Sequence, residues 1–408
     1  MHAFAALPRF LNPRAAALVL VTLLASCGGG SGSDAGSGAG TGSGDSAPTG
    51  VGTATVQWTT PSAGQVLTTG SPVSLGARVL ADGAEAANGS LVVFSAASGT
   101  STSGLTQAGL ATAAMAGLGA GRQQLQAVAT VSGRAASASQ TFYLRPQPAP
   151  LQILVPAYFY PSGGGATAWA ALAASAQAVP TVQITAILNP SNGIFSSADA
   201  SIVRAATRFA QAGGRLVAYV SSSYGTGTRS LASIEANIDN YLALYGSGLV
   251  QGFFIDEMAA TSNRLDFYRS IYRYIKAKNP DLLVIGNPGT IPAAGYAEVA
   301  DVLTTFEDKG SAYGGYDPRT PAADWLYGLP NSRQASLVHN VADCPAMQVT
   351  VQAAASPRYQ AGWIYATSLE YEPATGVGNP WADLPGYWDA LVQAVRSSNA
   401  GQTLPSCT

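Results

Sequence analysis

Gly252-Phe253-Phe254-Ile255-Asp256-Glu257 decides the fold of most of this chain. An apolar run drives straight into two carboxylates, and Val302-Leu303-Thr304-Thr305-Phe306-Glu307-Asp308 repeats the construction. An apolar run without polar alternation reads as a strand buried on both faces, as in a parallel sheet covered by helices. The acids then stand where each strand emerges from the core.

Outward from these two runs, the chain from Leu151 onward repeats one rhythm of buried β run, loop and amphipathic helix. The runs end near Tyr160, Asn189, Ser221, Glu257, Asn287, Asp308, Asn340 and Thr367. That makes eight strands at roughly 30-residue spacing in about 250 residues, the arithmetic of a (β/α)8 barrel. Helical periodicity is expected over 166–179, 198–212, 233–245, 262–278 and 381–397. Residues 151–408 are therefore predicted to form an α/β domain, a TIM-like barrel.

Chemistry in such a barrel gathers at the carboxyl ends of the strands. Strand one offers Tyr158 and Tyr160, strand two Asn189 and Asn192, and strand three Tyr219, Ser221 and Tyr224. Strand four offers Asp256 and Glu257, strand five Asn287, strand six Glu307 and Asp308, strand seven His339 and Asn340, and strand eight Trp363 and Tyr365. Tyrosines and amides suit sugar rings and hydroxyls, so the set points to a carbohydrate cleft. Glycosidic cleavage generally needs one carboxylic acid to protonate the leaving oxygen and a second carboxylate to attack or to activate water.

Strands four and six are next-but-one neighbours, with backbones roughly 10 Å apart that inward-leaning side chains can bridge. Strand alternation turns Phe254 and Asp256 inward, sets Thr305 and Glu307 on one side and leaves Phe306 on the other. Asp256 is expected as nucleophile or stabilising carboxylate and Glu307 as proton donor, with Glu257 as an orienting acid or exchanging roles with Asp256. A like-charged neighbour or an apolar wall would keep one acid protonated near neutrality. Blander readings stand beside these: helix caps or a structural cation for the acids, turn formation for the asparagines, core plugs for Trp363 and Tyr365, and a hydrogen-bonded rim residue for His339.

The leading segment sets a different expectation. Arg9 and Arg14 precede an apolar run, 15–25, too short to span a bilayer, which closes on Leu24-Ala25-Ser26-Cys27. Residues 1–26 read as a bacterial lipoprotein signal, with the lipid anchor on Cys27. Gly28 in place of Asp favours an outer-membrane or cell-surface address. Residues 27–52 are a Gly/Ser-rich tether. Residues 53–147 carry short alternating runs at 54–58, 73–80, 90–94, 123–131 and 135–144, divided by turn clusters. A small all-β immunoglobulin-like sandwich is expected there, as a spacer or binding module. Pro146-Gln147-Pro148-Ala149-Pro150 forms a stiff link. Cys344 and Cys407 can pair in an oxidising compartment or remain two free thiols.

The formal net charge of -2 offers no basic field for nucleic acid. His339 is the only histidine after the signal, which disfavours zinc chemistry, and no Gly-x-Ser-x-Gly elbow follows a strand. An oxygen-only cation site at Asp256 and Glu257 stays open, but no cofactor or metal is expected.

Six motifs in order resemble the spherulin-4-like family: Val155-Pro156-Ala157-Tyr158-Phe159-Tyr160-Pro161, Asn189-Pro190-Ser191-Asn192-Gly193, Ala218-Tyr219-Val220-Ser221-Ser222-Ser223-Tyr224-Gly225, Phe253-Phe254-Ile255-Asp256-Glu257, Asn287-Pro288-Gly289-Thr290 and Phe306-Glu307-Asp308. The resemblance covers Leu151 to the last helix. The family includes glycoside hydrolases acting on galactosamine-containing polysaccharide, and its pattern implies that Asp256, Glu257 and Glu307 are needed for hydrolysis. The expectation is a lipid-anchored surface glycoside hydrolase with a polysaccharide partner, the alternative being a barrel that binds such a polymer without cleaving it.

Overall fold

A computed structural model describes residues 52–407. The expected signal, tether and Cys27 anchor lie outside these residues, apart from Gly52. The polypeptide forms two packed units, an N-terminal β unit and a closed barrel.

Eight parallel strands close the barrel in sequence order. They are β1 (Gln152–Ala157), β2 (Ile184–Leu188), β3 (Arg215–Ser221), β4 (Gly252–Asp256), β5 (Leu283–Gly286), β6 (Val302–Lys309), β7 (Gln334–His339) and β8 (Trp363–Ala366). β2 and β7 are buried at every residue, which only covering on both faces allows. Phe253 packs edge-on against Tyr241 of the surrounding helical layer, whereas Phe254 stacks on Tyr219 of the neighbouring strand. The expected alternation thus holds on β4.

It fails on β6. The pairing of β6 with β7 shifts register between Thr304 and Phe306. Thr305 consequently bonds the Tyr316 hydroxyl at 2.9 Å while the adjacent Phe306 ring packs edge-on against that same tyrosine. Thr305 and Phe306 therefore share a neighbour, contrary to the simple alternation. An extra residue of this kind re-aims the side chains that follow it, here Glu307.

Helices α1 (Gly164–Ala178), α2 (Ala200–Gln211), α3 (Leu231–Tyr241) and α4 (Leu265–Lys278) follow the first four strands. Asp199 caps α2 by accepting the amides of Ser201 and Ile202, so that helix starts two residues later than its periodicity suggested. The pattern then becomes irregular. Only a 3₁₀ turn, Ala294–Glu298, follows β5, and only a single turn, α5 (Gly310–Tyr313), directly follows β6. Gly314-Gly315, Pro318 and Pro321 stop any longer helix there. α6 (Cys344–Ala355) and α7 (Trp388–Asn399) complete the ring. α7 begins well after residue 381 because Pro385 and Gly386 interrupt the apparent helical pattern.

The N-terminal unit is one curled, nine-stranded sheet around its own apolar core, which includes Leu75, Phe94, Leu125 and Phe142. Two strands absent from the expectation, Ser101–Gln107 and Leu110–Met115, pair as a hairpin. Their Ser, Thr, Gly and Ala content gave no bulky β signal. This unit packs on the long connection from β6 to β7, which lacks a covering helix. Tyr143 donates to the Arg319 carbonyl at 2.9 Å and packs in a tilted arrangement on Tyr327, and Arg319 donates to the Gly64 carbonyl at 3.0 Å. The proline-rich link is strapped down by Asn331, which bonds both the amide and the carbonyl of Ala149.

Cys344 and Cys407 form a disulfide across 63 residues, tying the C-terminal tail to the start of α6. Substituting both by Ser should lower unfolding free energy by about 2–4 kcal/mol, read by denaturant titration. An unchanged midpoint would mean that the bridge carries no stability.

Candidate active site

The carboxyl ends of β3 to β6 bring one compact group together. Asn287, just past β5, donates one amide hydrogen bond to Asp256 Oδ1 at 2.7 Å and another to Glu307 Oε2 at 2.6 Å. Those two oxygens can be no farther apart than the sum of the two distances, about 5.3 Å. Asn287 is itself buried and held from behind: its Oδ1 accepts the Gly289 amide at 3.0 Å. The Gly289 carbonyl in turn accepts the Glu307 amide at 3.0 Å, and Gly289 has a φ of 66° that favours glycine. The strand between the two acids thus supplies the clamp that sets their separation. Asn287 was expected to hold substrate; in this structure its amide is committed to the acids.

The environment favours the neutral forms of this pair. Burial raises the Glu307 carboxyl to about 8, helped by the charge of Asp256 and opposed by the Asn287 hydrogen bond. Burial also raises Asp256, to about 6, with the charge of Glu257 adding to it and hydrogen bonds from Tyr219 and Asn287 opposing it. Glu307 is therefore the more readily protonated of the two.

Glu257 has a separate fixture. Its carboxylate accepts the Ser221 hydroxyl, and its backbone sits at φ 52°, a left-handed conformation that costs a non-glycine residue about 1–3 kcal/mol. The strain is offset locally. The Glu257 carbonyl accepts the Tyr224 amide at 2.6 Å and the Ser222 hydroxyl at 2.8 Å, and the next amide, Met258, reaches the Asn287 carbonyl at 2.9 Å. Ser222 and Tyr268 were not anticipated. The Ser222 hydroxyl also lies 2.8 Å from the Asp256 carbonyl and 3.1 Å from the Tyr268 hydroxyl, which accepts the Ala259 amide.

Tyrosines line the remainder. Tyr219 bonds Asp256, and its phenol is raised far above the ordinary range, first by burial and then by that charge. Tyr158 packs edge-on against Tyr219 at 5.6 Å and is raised by burial and then by Asp256 and Glu307. Tyr224 is raised by burial and then by the charges of Asp256, Glu257 and Glu307. Tyr371, from the short hairpin beyond β8, is raised by burial and then by Glu307. It lay too far past its strand to be read as a strand-end residue.

Other expected residues lie elsewhere. Trp363 is at the amino end of β8, beside Gln152 of β1, with its indole donating to the Ser332 carbonyl at 2.8 Å. A run that begins with an aromatic was read as though it ended with one. Tyr365 is fully buried against Trp381 and plugs the core. His339 is 3% exposed, bonded to Asn340 and flanked by Tyr371 and Trp381; burial lowers its pKa. Tyr160, Asn189 and Asn192 form a neighbouring group, with Tyr160 donating to Asp199 at 2.9 Å and Asn189 to Asn192 at 3.4 Å.

The sequence model of spherulation-specific family 4, Spherulin4, matches residues 152–395. The chain belongs to this family. Spherulin-4 of Physarum polycephalum is 34% identical over 188 residues, 46% of this chain and 52% of that protein. The chain thus spans about half the length of the curated relative that it matches. Among solved structures, Sph3 of Aspergillus clavatus in complex with GalNAc aligns at a TM-score of 0.49 and 22% identity, over 60% of this chain and 97% of that one. A β-glucuronidase of Bacteroides uniformis aligns at 0.37 and 8% identity, over 84% of this chain and 50% of that one. For this family member the chemistry is read from its own residues.

Both Asp256 and Glu307 have folded-state values above those of an unfolded chain, so the stability they contribute is full below about pH 4 and is lost as pH rises through about 6 and about 8. Glu307→Gln removes the second loss. Its melting temperature should exceed that of the unsubstituted protein by roughly 2–8 °C near pH 9, with little difference near pH 4. A variant that melts lower at both pH values would contradict the raised acid.

Proposed function

We propose that the barrel is a glycoside hydrolase acting on an amino-sugar-containing extracellular polysaccharide, with Asp256 as nucleophile and Glu307 as proton donor. The observation that carries this reading is the Asn287 amide bonded to both carboxyls. Retaining enzymes hold their two carboxyls about 5–5.5 Å apart, whereas inverting enzymes need about 6.5–9.5 Å to admit a water between them. The bonded oxygens here are no farther apart than about 5.3 Å, short of the inverting spacing, which supports retention through a covalent intermediate. In the first step Glu307 protonates the leaving oxygen while Asp256 attacks the anomeric carbon. In the second, Glu307 deprotonates a water that displaces Asp256.

Three further features support this assignment. The pKa order makes Glu307 the better acid and Asp256 the better anion. Glu257, fixed by Ser221, adds negative charge beside an oxocarbenium-like transition state. The six family motifs support an amino-sugar polymer as substrate. A barrel that only gripped its polymer would have no use for an acid kept protonated near neutrality.

The rest of the chain is read as delivery. The signal-like segment ending at Cys27 supports export and a lipid anchor at the outer membrane or cell surface. The β unit, for which an immunoglobulin-like character is proposed, serves as a spacer between the tether and the barrel.

Reducing-end release from amino-sugar polysaccharides tests this directly. Glu307→Gln should lower kcat by about 10²–10⁴-fold, and Asp256→Asn should abolish turnover while leaving polymer binding in place. Wild-type kcat/KM should rise as pH passes about 6 and fall beyond about 8, the two limbs belonging to the coupled pair. Binding with no turnover at any pH would establish the binder instead.

A further inference from the structure

The β unit carries an apolar patch on its outward face. Leu91 and Leu105 stand opposite each other across the strands Leu91–Ala96 and Ser101–Gln107, and Val93 stands opposite Val128 of the strand Gly121–Val131. Strand alternation sends Val92 and Phe94 into the core, where both are fully buried, and leaves Leu91 51%, Leu105 59% and Val93 38% exposed. Neither Leu91–Ala96 nor Ser101–Gln107 contains a charged residue. Water thus meets apolar side chains there with no charge beside them on either strand.

The patch lies toward one end of the unit, and the barrel meets the other. At the barrel end Arg122 is paired with Tyr143 and approaches Asp324 at 3.8 Å. Val92 is paired with Ala129, near the far end of the same strand, where Val131 pairs with Arg134. From Arg122 to Val131 is roughly 30 Å along a strand. The described chain begins at the patch end: the Asp82 amide donates to the Thr53 carbonyl at 2.7 Å, and a Cβ on Gly52 would come within 2.7 Å of Arg134 Nη1. The 24 residues 28–51 join that point to Cys27. Gly/Ser-rich chains of this length reach roughly 25–30 Å on average, so a bilayer holding Cys27 would lie within reach of the patch. The barrel is held by its other face. Asn331 bonds Ala149 just ahead of β1, and Arg145 bonds Gln360 just ahead of β8, so these contacts gather at the amino ends of the strands, opposite the carboxylates.

The chemistry of the patch selects its occupant. A sugar polymer would need rings to stack on, and Leu91, Val93 and Leu105 offer none. A stable dimer needs roughly 800 Å² from each partner, far more than three half-exposed side chains supply. A lipid bilayer needs neither shape complementarity nor a large area, and accepts apolar side chains at the boundary between headgroups and acyl chains. We propose that the face at Leu91, Val93 and Leu105 seats on the bilayer that holds the Cys27 lipid, so that the β unit stands on the membrane and the barrel's site opens away from it. The proposal rests on the lipid-anchor reading given above. The lipid supplies attachment, and the patch supplies orientation by competing with free rotation about the tether.

Fluorescence quenching on vesicles tests it. The full chain is produced in a bacterium, the mass of its amino-terminal peptide shows whether Cys27 is acylated, and the protein is reconstituted on vesicles of phosphatidylethanolamine and phosphatidylglycerol. A bimane label is placed by Leu105→Cys in the patch or, as reference, by Ala236→Cys on the exposed surface of α3. Quenching by a doxyl-labelled lipid should be several-fold stronger at position 105 than at 236, and quenching by aqueous iodide correspondingly weaker. Adding Leu91→Ser and Val93→Ser to the labelled chain should lower the ratio of seated to unseated protein at least about tenfold, since two half-exposed apolar side chains then leave the bilayer. Equal quenching at 105 and 236 on an acylated chain overturns the proposal and leaves the anchor reading in place. Shielding of the 105 label from iodide without quenching by lipid means that a second chain covers the patch, and also overturns it. An unacylated Cys27 removes the anchor reading instead. The full chain is then held on the same vesicles by an amino-terminal hexahistidine and a nickel-chelating lipid, and the same comparison decides the patch. Should the double serine variant not fold, the contrast between positions 105 and 236 decides it alone.

Discussion

One amide holds the site together. Asn287 spends both of its N–H groups on Asp256 and Glu307, and its oxygen is taken by Gly289 in the turn that follows. Two carboxyls cannot both ionise easily at such close range, so the clamp does more than fix distance. Burial and then the charge of Asp256 raise the pKa of Glu307, while burial and then the charge of Glu257 raise that of Asp256. Different surroundings then separate their roles. Asp256 has Tyr219 as well as Asn287 to stabilise its charge, whereas Glu307 has Asn287 and the added repulsion of Asp308.

Elements remote in sequence converge to support that clamp. β4 and β6 deliver the acids, β5 delivers the amide between them, and the β3 loop braces the strained turn at Glu257 through Ser222 and Tyr224. The β6 irregularity at Thr305 belongs to the same device, because it resets the strand just before Glu307. On the outside, the connection after β6 gives up a helix and receives the N-terminal sheet instead, through Tyr143 and Arg319. The sheet unit therefore packs against the barrel's wall while its site sits at the carboxyl ends of the strands.

Much of this was legible in the chain alone. Apolar runs closing on polar residues gave eight strands in order, and two runs ending in acids gave Asp256, Glu257 and Glu307. Strand ends show which residues reach the mouth, but they do not show what those residues bond. Asn287 was therefore read as a substrate ligand when its partners are the acids themselves. Trp363 was misplaced because a four-residue apolar strand gives no signal for its direction of exposure. The alternation on β6 failed because a bulge is a matter of pairing with a neighbour, which no local pattern records. Ser222 and Tyr268 were invisible for the same reason, since their value lies in contacts between β3, β4 and α4. The hairpin at Ser101–Gln107 was missed because small polar residues form strands only with a partner.

The closeness of Asp256 and Glu307 is the central claim, and the anomer first released from the polymer tests it most directly. Proton NMR of the nascent reducing end, recorded before mutarotation, should show the same anomeric configuration as the bond that was cut. Release of the opposite anomer would mean that a water stands between the two carboxyls, and that the Asn287 clamp does not describe the working site.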